Sequence, residues 1–127
     1  MRAAVLATGA NGSCIAADLV RAGHAVTLID QWPEHVEAMR ARGLRIEMPE
    51  ETVEVDVEAH HVCDVSSMHG TFDIVLLCSK AYDARWFSEL IKPKLAETGL
   101  LVGVQNGMTV DDITAVVGPS RSIGGVV

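Results

Sequence analysis

Residues 1–30 read MRAAVLATGANGSCIAADLVRAGHAVTLID, and this stretch decides the fold of the chain. Two short apolar runs, Ala3–Ala7 and Ala25–Ile29, enclose a turn that contains glycine and a segment whose apolar residues recur at helical spacing. Gly23 ends that segment, as glycine commonly does just past a helix C-cap. Asp30 follows the second run at the distance where a dinucleotide-binding unit carries its ribose carboxylate. The order of strand, turn, helix, strand and acid predicts a βαβ unit that binds a dinucleotide.

The turn between the first strand and the helix has the residue types that phosphate binding requires. Backbone N–H groups at a helix N-terminus hold a pyrophosphate, so Gly9 is expected to let the phosphate approach the backbone. Gly12 is expected to let the helix pack close against the strand. Ala7 stands where the usual pattern has its first glycine, and an alanine there is tolerable only with a negative φ. A glycine-containing turn that binds nothing is the alternative. The predicted cofactor-binding residues of the turn are Ala7, Thr8, Gly9, Ala10, Asn11 and Gly12.

Asp30 and Gln31 follow the second strand at its carboxyl end, where the ribose of a dinucleotide is bound. A carboxylate there accepts hydrogen bonds from both hydroxyls of an unphosphorylated ribose and repels a 2′-phosphate. Both residues are therefore predicted to contact the cofactor and to favour NADH over NADPH, unless Arg40 or Arg42 folds back to neutralise the site.

The composition describes one soluble globular domain spanning residues 1–127. Hydrophobic residues make up 49% of the chain and charged residues 21%, which excludes intrinsic disorder. The formal net charge of -7 argues against a nucleic-acid partner, because a surface that binds a phosphate backbone needs clustered lysine and arginine. No apolar run is long enough to span a bilayer, so no membrane partner is expected.

Three cysteines, Cys14, Cys63 and Cys78, are scattered without metal-ligand spacing. Their odd number gives no disulfide framework, which favours a reducing compartment. Met1-Arg2 leads directly into the first apolar run, so no signal peptide is expected. We therefore expect a native N-terminus and a cytoplasmic protein.

Beyond Asp30 the pattern alternates between helices and strands, which predicts a Rossmann-type, doubly wound, mostly parallel sheet with helices on both faces. The strand Ile74–Cys78 is expected to lie beside the first strand, and Thr52–Glu58 is expected to form an antiparallel excursion at the sheet edge. The remaining predicted elements are a helix from Pro33 to Gly43, a strand Leu44–Met48, a helix Ala84–Ala96, a strand Leu100–Val104, a helix from Thr109 to Val117 and a strand from Ser122.

The pair His60-His61 raises the question of a metal site. Adjacent residues of a strand point to opposite faces, so the two imidazoles cannot readily share an ion. We predict no metal, and we interpret the stretch His60–Asp64 as a loop.

Polar residues stand at the carboxyl ends of two predicted strands, which is the ligand-binding edge of an open α/β sheet. Ser79-Lys80 follows one strand and Asn106 follows the next. A solvated lysine and an asparagine chosen for turn geometry are the alternatives. Their place at the ligand edge favours Ser79, Lys80 and Asn106 as site residues. Cys78 is interpreted as a small buried hydrophobe rather than a reactive thiol.

Three motifs together resemble the N-terminal half of the ketopantoate reductase (2-dehydropantoate 2-reductase) family. They are the turn Ala7–Gly12, the segment Ser79-Lys80-Ala81-Tyr82-Asp83 and the segment Gln105-Asn106-Gly107-Met108, with Gly118-Pro119 and Ile123-Gly124-Gly125 closing the match. The resemblance implies that NADPH or NADH reduces the ketone of 2-dehydropantoate to pantoate, on the way to pantothenate and coenzyme A. It also implies that Lys80 and Asn106 are catalytic and flank the nicotinamide and the small 2-oxo acid.

The chain departs from the family in cofactor choice and in length. The family usually prefers NADPH and places an arginine after the second strand, where this chain has Asp30-Gln31. Its members carry an α-helical second domain, absent here, which completes the substrate pocket and supplies a lysine thought to protonate the carbonyl. The resemblance therefore implies the cofactor half of an enzyme, which is expected to bind the nucleotide but to catalyse the reaction poorly on its own. It is also compatible with a homodimer.

Two other functional classes stay open. A regulatory module that senses NAD, such as the Rossmann domains that regulate potassium transport, accounts for the turn and Asp30 but not for Lys80 and Asn106 at the reactive edge. A methyltransferase that uses S-adenosylmethionine also has a glycine turn and an acid after the second strand. That class does not predict the Asn-Gly element after the fifth strand.

Overall fold

The computed structural model describes residues 1–126 and contains one large sheet. The strands are β1 (Ala3–Leu6), β2 (Val26–Asp30), β3 (Leu44–Glu47), β4 (Thr52–Val55), β5 (Glu58–His61), β6 (Phe72–Leu77), β7 (Leu95–Val104) and β8 (Ser122–Gly125). The helices are α1 (Ala10–Arg21), α2 (Pro33–Arg42), α3 (Ala84–Ile91) and α4 (Val110–Val117). The six-stranded sheet has the order β5-β2-β1-β6-β7-β8, and each of its pairings is parallel. The predicted Rossmann-type fold is confirmed.

The sheet is buried on both faces because successive residues of β1 enter different clusters. Ala4 and Leu6 pack with α3 and α4, whereas Val5 packs with α1 and α2. All of β1 is buried, as expected for a central strand whose side chains alternate between two covered faces. Full burial of one large side chain, such as Phe87, stabilises the fold by about 1.5–3 kcal/mol. As predicted, β6 lies beside β1, and the strand order reverses between these two strands.

The region between α2 and β6 differs from the prediction. Residues predicted as one strand, Thr52–Glu58, divide into β4 and the first residue of β5. β4 pairs antiparallel with β3 in a separate two-stranded sheet rather than at the edge of the main one. The stretch predicted as a loop contains the end of β5, which pairs with β2 at the Ile29–His60 and Asp30–His61 positions. A parallel partner supplies this strand's backbone hydrogen bonds, so it does not need an apolar pattern of its own.

The helix predicted over Ala84–Ala96 is shorter in the structure. α3 ends at Ile91, and a 3₁₀ turn over Lys92–Lys94 leads directly into β7. Pro93 has no N–H to donate, which stops the helix earlier than the apolar pattern suggested. The last two residues of the predicted helix, Leu95 and Ala96, begin β7 instead. In the part of the chain that the structure describes, no helix has both the length and the apolar character needed to cross a membrane.

Candidate functional site

The predicted site residues gather at one edge of the sheet. The turn after β1, Asp30 at the end of β2, Ser79-Lys80 after β6 and Asn106 after β7 all lie at the carboxyl ends of parallel strands. The edge includes the point between β1 and β6 where the strand order reverses, which is where open α/β sheets bind ligands.

Ala7 adopts a left-handed backbone conformation, with a φ of 71°. The prediction that an alanine is tolerable here only with a negative φ was wrong. Its N–H donates to the carbonyl of Ile29 at 2.8 Å, which continues the β1–β2 ladder by one residue before the chain turns into α1. The conformation costs about 1–2 kcal/mol for a residue with a Cβ. The chain tolerates it with a methyl group, the smallest side chain that carries this cost.

The two glycines of the turn have different surroundings. A Cβ built on Gly12 would collide with the backbone carbonyl oxygen of Ala7 and would lie 3.2 Å from the Cβ of Cys78. The prediction that Gly12 allows close packing of helix and strand is therefore confirmed. A Cβ built on Gly9 would meet nothing within 4 Å. Gly9 therefore borders open space next to the first turn of α1, whose N–H groups have no partner within the helix.

Asp30 is 3% exposed and is hydrogen-bonded to the turn that follows β1. Its Oδ1 accepts from the N–H of Thr8 at 2.8 Å, and its Oδ2 accepts from the N–H of Trp32 at 3.2 Å. The carboxylate therefore holds the turn against the end of β2, a role that sequence reasoning did not assign to it. Each carboxylate oxygen has more than one lone pair, so these bonds leave acceptor capacity for ribose hydroxyls.

Thr8 is the hydrogen-bonding centre of the turn and is 2% exposed. Its carbonyl accepts from Ser13 Oγ at 2.9 Å and lies 2.9 Å from Nε2 of His35. Its own Oγ1 and the Oε1 of Gln31 are buried and have no hydrogen-bond partner among residues 1–126. Sequence reasoning missed Ser13 and His35, because their contacts with Thr8 depend on how α1 and α2 pack against the turn. Together with Asp30, they fix the turn from three directions.

Neither arginine that could have neutralised Asp30 does so. Arg40 donates to the carbonyl of Ala59 at 2.8 Å and forms ion pairs with Glu37 and Asp64. Arg42 is the last residue of α2, so it lies about 13 Å along the helix from the end that adjoins Asp30. Within residues 1–126, neither arginine forms an ion pair with Asp30.

Lys80 and Asn106 are both exposed, so their polar groups are accessible to a ligand. The residues beside them are anchored. Ser79 is 7% exposed, and its hydroxyl donates to the carbonyl of Lys80 at 3.1 Å. Gln105 is 3% exposed, and its Nε2 donates to Ser79 Oγ at 3.0 Å. Sequence reasoning placed Lys80 and Asn106 correctly at this edge but gave no role to the buried Gln105.

The two histidines considered for a metal site have different partners. Nε2 of His60 lies 2.8 Å from Glu58 Oε1. Nε2 of His61 lies 3.0 Å from the carbonyl oxygen of Gln31, and Nδ1 of His61 accepts a hydrogen bond from the N–H of Cys63. Among residues 1–126, no three His, Cys, Asp or Glu side chains are grouped so that they could hold a metal ion.

Cys78 is expected to be the least reactive of the three thiols. Burial raises its pKa to about 11, whereas Cys14 and Cys63 are exposed. The thiolate is the nucleophile, so at mildly alkaline pH iodoacetamide should alkylate Cys14 and Cys63 well before Cys78. Peptide mass spectrometry over a time course would measure this order, with the urea-unfolded chain as control. Equal rates for all three thiols in the folded chain would contradict the prediction.

Comparison with known proteins agrees with this geometry. The family model described as "Ketopantoate reductase PanE/ApbA" matches residues 3–127. A 2-dehydropantoate 2-reductase of Lactococcus lactis is 33% identical over 112 residues, covering 88% of this chain and 36% of that protein. The crystal structure of a PanE/ApbA family ketopantoate reductase from Ralstonia eutropha is 34% identical with a TM-score of 0.84, covering 99% of this chain and 40% of that one.

A structure of D-mandelate dehydrogenase with NADH and anilino(oxo)acetate is also similar to this chain. It is 25% identical with a TM-score of 0.91, and the match covers 99% of this chain and 40% of that one. The chain therefore spans 36% to 40% of the length of these three proteins.

Proposed function

The chain belongs to the ketopantoate reductase family, and from this premise we propose that it is the cofactor-binding part of an oxidoreductase that reduces a small 2-oxo acid. The proposed reaction is the conversion of 2-dehydropantoate to pantoate, as the name of the Lactococcus lactis relative indicates. The observation that carries the proposal is the placement of the glycine turn, Lys80 and Asn106 on one edge of the sheet, at the reversal of strand order.

The residues present fit a nicotinamide dinucleotide. Gly9 leaves open space beside the first turn of α1, where N–H groups would hold the pyrophosphate. Asp30 lies at the end of β2, where it would accept from the ribose hydroxyls. Ser79, Lys80 and Asn106 would border the nicotinamide end. The remaining proposed cofactor contacts are Ala7, Thr8, Ala10, Asn11, Gly12 and Gln31.

The charge distribution suits a negatively charged substrate. The nicotinamide, when bound, would supply the hydride. Hydride addition to a ketone places negative charge on its oxygen, and the ammonium of Lys80 and the amide of Asn106 can both donate hydrogen bonds to that oxygen. Lys80 also provides a positive charge for the acid's carboxylate in a chain whose net charge is -7.

A related substrate is the second candidate. The similarity to D-mandelate dehydrogenase favours other 2-oxo acids, including the 2-oxo acid that corresponds to mandelate. The residues on the described edge accommodate the shared 2-oxo acid group and do not distinguish its substituents. An α-helical second domain, proposed from the resemblance, would make that distinction. The free cysteines support the further proposal that the protein works in the reducing cytoplasm.

The proposal is tested by binding and then by turnover. Calorimetric titration with NADH, NADPH and ADP-ribose should show binding, and absence of binding by all three would reject the proposal. Loss of NADH absorbance in the presence of 2-dehydropantoate, or the 2-oxo acid of mandelate, would then identify the substrate. Binding without turnover on any 2-oxo acid, in this chain and in a longer one, would favour a NAD-sensing module instead.

Lys80→Met is expected to lower kcat/KM for the 2-oxo acid by about a hundredfold, because it removes a charged donor from the carbonyl oxygen. Asn106→Ala should have an effect of similar size. Lys92→Met is the matched control, since Lys92 is an exposed lysine at the opposite edge of the sheet, before β7. A kcat/KM that stays at the wild-type value in both site variants would show that these residues are not catalytic.

A further inference from the structure

We infer that Gln105 is a positioning residue that fixes the loop carrying Lys80 against the turn carrying Asn106; this inference rests on the proposed function. Lys80 and Asn106 belong to segments that follow different strands. Both side chains are exposed, so packing alone does not set their relative positions. The buried side chain of Gln105, which directly precedes Asn106, is hydrogen-bonded to Ser79, which directly precedes Lys80.

The connection is a chain of three hydrogen bonds with one direction. The hydroxyl of Thr109 donates to Oε1 of Gln105. Nε2 of Gln105 donates to Ser79 Oγ at 3.0 Å, and the Ser79 hydroxyl donates to the carbonyl of Lys80 at 3.1 Å. The hydroxyls of Thr109 and Ser79 each have one proton, and each donates it within this network. No hydrogen bond of the network can therefore reverse its direction without the loss of another. The network therefore begins on the residue before α4 and ends on the backbone of Lys80.

Burial makes the network costly to break. Ser79, Gln105 and Thr109 are 7%, 3% and 6% exposed, so a lost partner leaves a polar group without water to replace it. Gly103 makes room for the amide, because a Cβ built there would lie 3.2 Å from Gln105 Oε1 and 2.6 Å from Ile113 Cδ1. The Gln105 side chain thus occupies a space that the β7 sequence leaves open for it.

Gln105 is connected to the residues that would contact one half of a bound dinucleotide, the nicotinamide half. The turn after β1 and Asp30 would contact the pyrophosphate and the adenosine ribose, and neither is bonded to Gln105. Lys80 and Asn106 would contact the nicotinamide end. A change at Gln105 should therefore weaken a ligand that contains nicotinamide and leave ADP-ribose, which lacks it, unaffected.

The test is calorimetric titration of the whole chain with NADH and with ADP-ribose. Gln105→Met keeps the side-chain volume but removes both polar groups, and it should weaken NADH binding by about tenfold while the ADP-ribose affinity stays at the wild-type value. Ser88→Ala is the control. Ser88 is fully buried on α3, and its hydroxyl donates to the carbonyl of Ala84 in the same helix, so this variant should bind both ligands normally.

Gln105→Glu adds a readout that a purely structural role would not change. At mildly alkaline pH the introduced carboxylate accepts a hydrogen bond from the Ser79 hydroxyl, which then no longer donates to the Lys80 carbonyl. At mildly acidic pH the protonated acid can donate to Ser79 and restore the chain, because burial raises the pKa of a carboxyl group. NADH affinity of this variant, taken relative to wild type at the same pH, should recover on acidification.

The outcomes separate this inference from the proposed function. Absence of ADP-ribose and NADH binding in the wild type would reject both. Normal wild-type binding with equal losses for both ligands in Gln105→Met would reject the positioning role in favour of a general structural one. Unchanged NADH affinity in Gln105→Met, or no pH-dependent recovery in Gln105→Glu, would also reject it and leave the proposed function standing.

Discussion

Gly12→Ala is expected to destabilise the chain by about 3 kcal/mol, because the new Cβ would collide with the backbone carbonyl oxygen of Ala7. The second neighbour, Cys78, is the residue that directly follows β6. The added methyl group would therefore be confined between the ends of two strands. Neither neighbour is the end of a flexible side chain. Relief would require α1 to move away from β1, which would open the cluster that α1 forms with Val5 and Leu28.

Gly9→Ala provides the matched comparison, three residues earlier in the same turn. Gly9 has a φ of -72° and a ψ of -160°, values open to alanine, and its Cβ would meet nothing within 4 Å. The fold should therefore keep its stability. The methyl group would occupy the space where the proposed pyrophosphate would approach the backbone, at a cost of about 2 kcal/mol, or roughly thirtyfold in Kd for NADH.

Urea unfolding followed by circular dichroism would measure both stabilities, and calorimetry would measure NADH affinity. The expected pattern is a large loss of stability in Gly12→Ala and a loss of binding alone in Gly9→Ala. Normal NADH binding by Gly9→Ala would show that the phosphate does not contact the backbone at this glycine. Wild-type stability of Gly12→Ala would show that helix and strand are less closely packed than described.

The elements that could be predicted from the sequence are those whose residue pattern is contained in one short stretch of the chain. The β1–α1–β2 unit, β6 and α4 each combine an apolar run or helical spacing with a nearby glycine or cap, so their identity follows from short stretches. β5 has no such pattern. Its residues Glu58-Ala59-His60-His61 become a strand because β2 offers a parallel partner, and that pairing is a long-range property.

The same distinction applies to the site. The positions of Lys80 and Asn106 at the carboxyl ends of β6 and β7 were predictable, because each residue follows an apolar run that marks the end of a strand. The bond from Gln105 to Ser79 was not predictable, because the two side chains lie 26 residues apart and only the sheet brings them together. Ala7 shows a further limit. A positive φ in a residue other than glycine depends on strain that surrounding contacts offset, and composition does not reveal it.

The last expected result concerns cofactor choice. The chain should bind NADH more tightly than NADPH, and Asp30→Asn should lower the ratio of the NADPH Kd to the NADH Kd about tenfold. The carboxylate lies at the end of β2, and within residues 1–126 Arg40 forms ion pairs with Glu37 and Asp64 rather than with Asp30. Repulsion of a 2′-phosphate a few ångströms away is worth about 1–3 kcal/mol at the effective dielectric of such a site.

The structure also determines which variant tests this preference. Asp30→Ala would leave the N–H groups of Thr8 and Trp32 without their acceptor, costing about 1–3 kcal/mol and weakening both nucleotides through the turn. Asparagine removes the charge and keeps an oxygen for the N–H of Thr8, so it gives up the longer bond from Trp32 alone. Glu34→Gln is the control, because it removes an exposed carboxylate from the first turn of α2. Parallel titrations with NADH and NADPH would contradict the prediction if the wild type showed no preference, or if Glu34→Gln narrowed the ratio as much as Asp30→Asn.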